Sequence, residues 1–311
     1  MGTTYNIKMI PSKEDYYNTD VIKQKVDSLL IGINQQMSTY LFDSEITNFN
    51  NFESSDLFAV SDYFPFVVKR ALYWAELTNG AFDITLVPLL YLWGFGPGQE
   101  GDSIEVFPSD SIIEKRRVHM GYKKLIVNNN YLQKKDPYIK IDLNAIAKGF
   151  GVDVIFSFLE SIGMQNIMVE IGGEVRCKGK NRKNDPWTIA VETPTEKTEI
   201  KSINWAIHLE NNAMATSGDY RNYYEVDGIR YSHEIDPRTG YPAQTGIASA
   251  TVTAPNCMDA DALATAIIIM GQIEGLKLIE KLENVEAFII LRDGKDKYRS
   301  IKSSGMKISA L

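Results

Sequence analysis

Asp261 stands where a carboxylate is costly. The run Met258-Asp-Ala-Asp-Ala-Leu-Ala-Thr-Ala-Ile-Ile-Ile-Met-Gly271 is small or apolar at most positions and reads as one largely buried helix. An unpaired carboxylate in such a place costs several kcal/mol or takes up a proton. Thr265 follows one turn later, on the same helical face. A carboxylate beside a hydroxyl on a dry face is a partial ligand set for a hard cation such as Mg²⁺. The same pair also fits a capping Asp with a Thr bonded back to its own helix, so the helix alone leaves both readings open.

Other polar residues sit in glycine-flanked blocks, each with a structural and a chemical reading. In Thr78-Asn-Gly-Ala-Phe-Asp-Ile-Thr85 the Asn-Gly pair ends a helix, and the loop after it could press its backbone and Asp83 against a flat ring. In Ile141-Asp-Leu-Asn-Ala-Ile-Ala-Lys-Gly149, Asp142 or Asn144 caps a helix start. That start, with Lys148, could instead bind an anion. Val169-Glu-Ile-Gly-Gly-Glu174 places two carboxylates around a Gly-Gly bend, where a turn with a satisfied Glu suffices. Thr216 and Ser217 could host a nucleophile, but no G-x-S-x-G elbow surrounds them. His233, Asp236 and Arg238 offer a base, an orienter or ligand, and an anion clamp; a lone His is also often structural.

The chain that must position these groups has 311 residues, ordinary apolar and charged fractions, a formal net charge of −7 and a pI near 5.2. That balance argues against general nucleic-acid binding. An acidic protein acting on an anion must supply positive charge locally, through a metal, a Lys or Arg, or a helix N-terminus. Cys177 and Cys257 are far apart and demand no disulfide, and no Cys/His spacing suggests zinc. Neither a Walker A nor a GxGxxG pattern occurs. No apolar run is expected to cross a bilayer.

Apolar spacing predicts a helix over 21–33 capped by Asp20, a second over 63–77 ended by Asn79-Gly80, and a short third over 109–117. Strands are expected over 124–128 and 138–142 around Asn128-Asn-Asn130, then a helix over 145–162 and a strand over 166–171. Further strands should fall between 186 and 209, over 248–254, and near 286–291 and 297–301. The late helix, 259–282, should break near Gly271. Helices and strands alternate irregularly with hairpins, which favours α+β, mixed sheets with packed helices, over a doubly wound parallel sheet. Without a linker or composition shift, residues 1–311 are expected to form one domain, as two interwoven lobes.

Taken in order, these blocks resemble the ApbE family, the FAD:protein FMN transferases. The matching pieces are Met1-Gly-Thr-Thr-Tyr5, Met37-Ser-Thr-Tyr40 with Asp43-Ser-Glu45, and Thr78–Thr85 with Pro88-Leu89 and Trp93-Gly-Phe95. Next come Asp142-Leu-Asn-Ala-Ile-Ala-Lys-Gly149 with Val152-Asp153, and Glu170-Ile-Gly-Gly-Glu-Val-Arg176. The last are Ala215-Thr-Ser-Gly-Asp-Tyr220, His233-Glu-Ile-Asp-Pro-Arg-Thr-Gly240 and Ala260-Asp-Ala-Leu-Ala-Thr265. Each block is weak alone; all of them in this order are specific, and they span nearly the whole chain.

The resemblance implies a Mg²⁺-dependent enzyme that binds FAD in a cleft, moves its FMN moiety onto a Ser or Thr hydroxyl of an acceptor protein, and releases AMP. By position it implies Asp261 and Thr265 as side-chain metal ligands and Ala145 as a backbone-carbonyl ligand. Flavin contacts carry over to Met1, Tyr40, Ala81, Phe82, Asp83, Asp142, Lys148 and Ile235. His233 is the leading candidate for the catalytic base and Asp236 the second. The acceptor would be a protein such as a respiratory redox subunit. A lipid-anchored, extracytoplasmic setting is implied for the full-length protein, with no transmembrane helix in this chain. The alternatives are an FAD pyrophosphatase that yields FMN and AMP, and a non-catalytic FAD-binding module.

Overall fold

Asparagine and glycine punctuate the chain, and the regular elements fall between them. The computed structural model describes residues 2–11, 17–96, 98–99, 107–194, 203–219, 222–227, 229–294 and 297–310. In chain order come β1 (Tyr5–Met9), α1 (Thr19–Met37), α2 (Glu45–Asn51), β2 (Phe58–Ala59), α3 (Tyr63–Leu77), α4 (Val87–Leu92) and α5 (Asp110–Arg117). Then follow β3 (Leu125–Asn128), β4 (Tyr131–Lys134), α6 (Asn144–Ser161), β5 (Ile167–Ile171), β6 (Glu174–Lys178), β7 (Trp187–Glu192) and β8 (Ile203–Leu209). Last are β9 (Asn212–Gly218), β10 (Tyr223–Val226), β11 (Ile229–Ser232), β12 (Ile247–Ala254), α7 (Cys257–Ile279), β13 (Glu286–Arg292), β14 (Tyr298–Lys302) and β15 (Ile308–Ala310).

This is the expected α+β class with antiparallel sheets, and α3 keeps the expected bounds. Three local expectations change. Asn18, not Asp20, caps α1: its Oδ1 accepts the N–H groups of Asp20 at 3.1 Å and Val21 at 3.2 Å. The strand partner of β3 is β4, across the Asn128–Asn130 turn. Residues 138–142 are not a strand; Ile141 exchanges two hydrogen bonds, each 2.8 Å, with the Asn50 side-chain amide instead of a neighbouring strand. The short helices α2 and α4 carry too few turns to show a period and went unread.

The chain divides into two compact units, residues 1–30, 148–220 and 245–311, and residues 31–147 and 221–244. The first holds a seven-stranded sheet in the order β1-β5-β6-β9-β12-β13-β14, with every neighbouring pair antiparallel. Both faces of this sheet are covered, so its central strands lose the usual polar alternation. On β5, Ile167, Val169 and Ile171 pack with Ile22 and Val26 of α1 and with Val152, Ile155, Phe156 and Leu159 of α6. Met168 points the other way, into a core with Trp187, Val191, Ile207 and Leu209 of the β15-β8-β7 sheet. Cys177 and Cys257 belong to these opposite cores and are both free.

α7 packs on β9 and β12, whose Ala213, Ala215, Ala248, Ala250 and Ala254 are fully buried. Small side chains let a helix approach a sheet closely. By length and composition α7 is apolar enough to span a bilayer, with an 18-residue stretch of mean hydropathy 1.6. Its buried face on the sheet and its acidic residues mark it as a core helix of this unit. It kinks where expected, at Gly271, whose φ of 83° and ψ of 167° no helix contains.

The second unit holds the β2-β4-β3 sheet, the β10–β11 hairpin and helices α2 to α5. Its α3 ends as the Asn-Gly pair dictates. Asn79 and Gly80 turn to φ 50° and 78°, and the Gly80 N–H reaches back to the Ala75 carbonyl at 2.8 Å. Leu89, Trp93, Ile113, Met120 and Ile235 form a core here, and Trp93 Nε1 donates to the Gly240 carbonyl at 2.8 Å.

Candidate active site

In the first unit, α6 and α7 meet at a glycine. A Cβ on Gly149 would lie 2.3 Å from the Cys257 carbonyl oxygen and 2.9 Å from the Asp261 Cβ, so no other residue fits without the helices parting. At this contact the Gly149 N–H donates to Asp261 Oδ2 at 2.9 Å. Lys148, next on α6, forms an ion pair with Glu174 at the start of β6. One turn along α7, the Thr265 hydroxyl meets the Ser217 hydroxyl of β9 at 3.0 Å.

The electrostatics of this nest are unbalanced. Asp261 and Glu174 are both buried, and Lys148 is the cation that acts on each of them. Burial raises the Asp261 pKa, against the opposing pull of Lys148 and the Gly149 N–H. Burial and then the Asp261 charge push Glu174 up to about 7, although Lys148 draws it down. Burial works against the Lys148 charge, yet Asp261 and Glu174 outweigh it and hold its proton more firmly. Glu174 Oε2 is buried with no hydrogen-bond partner among the described residues. A buried polar atom left without a partner calls for a ligand or an ion. The donors are oxygens, which suits a hard cation. Among the described residues no three His, Cys, Asp or Glu side chains cluster as a ready-made cage.

In the second unit Asp83 and Asp142 are satisfied on both oxygens. Asp83 Oδ1 accepts the Thr85 N–H at 2.8 Å and its hydroxyl at 2.7 Å, while Oδ2 accepts the Tyr122 N–H at 2.9 Å. Burial still raises its pKa. Asp142 Oδ1 accepts the Asn144 N–H at 2.7 Å, and Oδ2 accepts from the Asn144 amide at 3.0 Å and Thr39 Oγ1 at 3.3 Å. Its own N–H donates to the Ile84 carbonyl at 2.8 Å. Burial raises the Asp142 pKa too. These bonds tie together the loops that carry Thr39, Ala81–Thr85 and Asp142. Tyr40 stands 62% exposed beside them in sequence, whereas Ala81, Phe82 and Ile235 are buried.

The block after β11 separates its two candidate bases. Asp236 is held by Arg238 through both oxygens, at 2.9 and 2.8 Å, and also accepts the Arg238 N–H at 2.9 Å. His233 is half-buried. Its Nδ1 lies 3.2 Å from the Asn222 carbonyl and its Nε2 3.4 Å from Glu234 Oε1.

The sequence model of the ApbE family matches residues 1–289. This chain belongs to the ApbE family. It is 44% identical to the FAD:protein FMN transferase of Vibrio cholerae over 307 residues, covering 99% of this chain and 90% of that one. The FAD:protein FMN transferase of Haemophilus influenzae is 40% identical, with 94% and 84% covered. Among solved structures, the flavin transferase ApbE from Vibrio cholerae superposes with a TM-score of 0.86 at 42% identity, over 98% of this chain and 94% of that one. The apo flavinyl transferase ApbE of Pseudomonas stutzeri gives 0.87 at 34% identity, over 98% and 92%.

Within this ApbE-family chain, Lys148, Asp261 and Thr265 fall in the first unit, and Tyr40, Ala81, Phe82, Asp83, Asp142, Ala145, Ile235, His233 and Asp236 in the second. Met1 lies outside the described residues. Three contributors went unread in the sequence. Glu174 shares its Gly-Gly bend with Glu170, but the two differ: Glu170 caps the turn by accepting the Gly173 N–H at 2.8 Å, and Glu174 is buried against Lys148. Ser217 reads as a possible nucleophile and is instead the partner of Thr265. Gly149 shows its purpose only through Cys257 and Asp261, more than a hundred residues away.

Proposed function

We propose that this enzyme transfers the FMN moiety of FAD to a Ser or Thr hydroxyl of an acceptor protein, with Mg²⁺, and releases AMP. The observation that carries this reading is the buried nest of Asp261, Glu174 and Lys148, short of positive charge and holding a partnerless oxygen, in a chain of the ApbE family. Asp261 and Thr265 would hold the ion, with the Ala145 carbonyl as the third ligand that the resemblance implies. When bound, Mg²⁺ supplies charge neutralisation to the FAD pyrophosphate and orients it for in-line attack.

The protein's own groups do the rest. Lys148, anchored by Glu174, offers a fixed ammonium to a phosphate oxygen. The loops holding Tyr40, Ala81, Phe82, Asp83, Asp142 and Ile235 would grip the isoalloxazine ring by stacking and backbone contacts. His233 takes the acceptor's hydroxyl proton at Nε2, and Glu234 Oε1 steadies the imidazolium that results. Asp236 is the poorer base, because Arg238 occupies both of its oxygens. The hydroxyl oxygen bonds to the FMN-side phosphorus as the bond to the AMP oxygen breaks. An extracytoplasmic, membrane-anchored setting rests on the family resemblance alone.

Incubation with FAD, Mg²⁺ and a flavin-acceptor domain tests the reaction. Flavin fluorescence should stay on the denatured acceptor band and vanish with chelator. Free FMN with an unlabelled acceptor would show hydrolysis instead, and unchanged FAD would reduce the protein to a binder. His233→Ala should cut labelling by roughly 10²–10⁴-fold; labelling at the normal rate would remove His233 from the reaction.

A further inference from the structure

Asp153 builds its carboxylate into the start of α7. Its Oδ1 accepts the Cys257 N–H at 2.9 Å and an Arg176 N–H at 2.7 Å, and its Oδ2 accepts the Met258 N–H at 2.9 Å. A helix N-terminus leaves its first four N–H groups without intrahelical partners, and two of them end on this one side chain. The helix's own N-cap, Asn256, takes the next, from Asp259 at 2.9 Å. Arg176, which neutralises Asp153, is itself fixed over the Phe156 ring at 4.3 Å.

This bond set has a mirror one turn away. Gly149 lies four residues before Asp153 on α6, and Asp261 four residues after Cys257 on α7. At that second rung the direction reverses: α6 supplies the N–H, from Gly149, and α7 the carboxylate, from Asp261. Each helix therefore presents a carboxylate to the other's backbone. With the missing Cβ of Gly149 at the crossing, the two rungs allow one register and one rotation of α7. Asp153 does not join the Asp261–Glu174–Lys148 nest; it holds the turn of helix from which Asp261 projects.

We propose that Asp153 is a positioning residue for metal binding by Asp261, acting through the first turn of α7. The proposal rests on the reading of Asp261 as a ligand. A carboxylate suits the role because its two oxygens accept two adjacent N–H groups and an arginine at once, which no amide or hydroxyl can do. Loss of such a support loosens the ligand without removing it.

The test is Mn²⁺ binding to the full chain with FAD present, followed by electron paramagnetic resonance, beside the Mg²⁺ dependence of acceptor labelling. Asp153→Asn keeps the shape but turns an NH₂ towards a backbone donor. It should weaken Mn²⁺ binding by roughly 10–100-fold, with labelling at saturating Mg²⁺ within about threefold of the parent. Cys257→Pro is the second variant, needed if Asp153→Asn does not fold. It deletes one of the two N–H donors at a first-turn position that tolerates proline and leaves Asp153 intact. It should shift metal binding in the same direction, by less. Parental Mn²⁺ affinity in the folded variants, with Asp261→Asn unable to bind, overturns the proposal and spares the ligand reading. Parental affinity in Asp261→Asn itself overturns the ligand reading.

Discussion

Two sets of buried carboxylates, one in each unit, are held under opposite terms. In the second, Asp83 and Asp142 meet N–H and O–H donors on both oxygens, and Asp236 meets a guanidinium. In the first, Asp261 and Glu174 look to one lysine, and Glu174 keeps an oxygen without a hydrogen-bond partner among the described residues. Three hydrogen bonds from backbone and side-chain donors make a carboxylate a fastener. Two buried carboxylates with one ammonium leave a site short of positive charge. Burial by itself does not separate these cases, since it raises the pKa of Asp83, Asp142 and Asp261 alike. What separates them is the count of donors.

The contrast can be broken by substitution. The largest effect is expected from Asp261→Ala, which should lower acceptor labelling by at least about 100-fold. Its unfolding midpoint in urea should fall by less than that of Asp83→Ala, because removal of a buried charge short of partners offsets the lost Gly149 N–H bond. A collapse in stability would make the nest a structural device like its counterpart. Asp83→Ala should show the larger loss of stability. Stripping the partner from two N–H groups and a hydroxyl should cost roughly 2–4 kcal/mol of stability without metal or flavin. A parental urea midpoint would show that the loop does not depend on this fastener.

A finer distinction comes from pH. Burial and the Asp261 charge push Glu174 up to about 7 in the folded protein from a usual 4.5, so between those limits the folded state binds more protons than the unfolded state. Stability from this group therefore falls as pH rises from 4.5 to 7, with its full penalty present above 7 and none below 4.5. With chelator present, Glu174→Gln should gain on the parent across that window by on the order of 3 kcal/mol. Parallel stability curves for the two proteins would mean that the nest carries no such strain.

Legibility in the sequence followed the range of the interactions. The α3 bounds, its Asn79-Gly80 ending and the Gly271 break were readable because each is fixed within a turn or two of chain. The 138–142 strand was misread because its extended backbone bonds to a side chain, Asn50, from a distant helix. Asp20 lost the α1 cap to Asn18 by a shift of two residues, within the ordinary ambiguity of helix starts. Ser217 and Glu174 were visible as polar residues, but their chemistry was not, since their partners Thr265 and Lys148 arrive on other elements.

The α+β class, the buried helix that carries Asp261 and Thr265, and the ordered blocks of the ApbE family are all legible in the residues alone. Only the tertiary structure decided which carboxylates are fastened and which stand short of partners. The reason is physical: residue type and helical period act locally, while a buried charge is satisfied or left wanting by donors folded in from elsewhere. Gly149 meets Asp261 across 112 residues, and Asp153 meets Cys257 across 104.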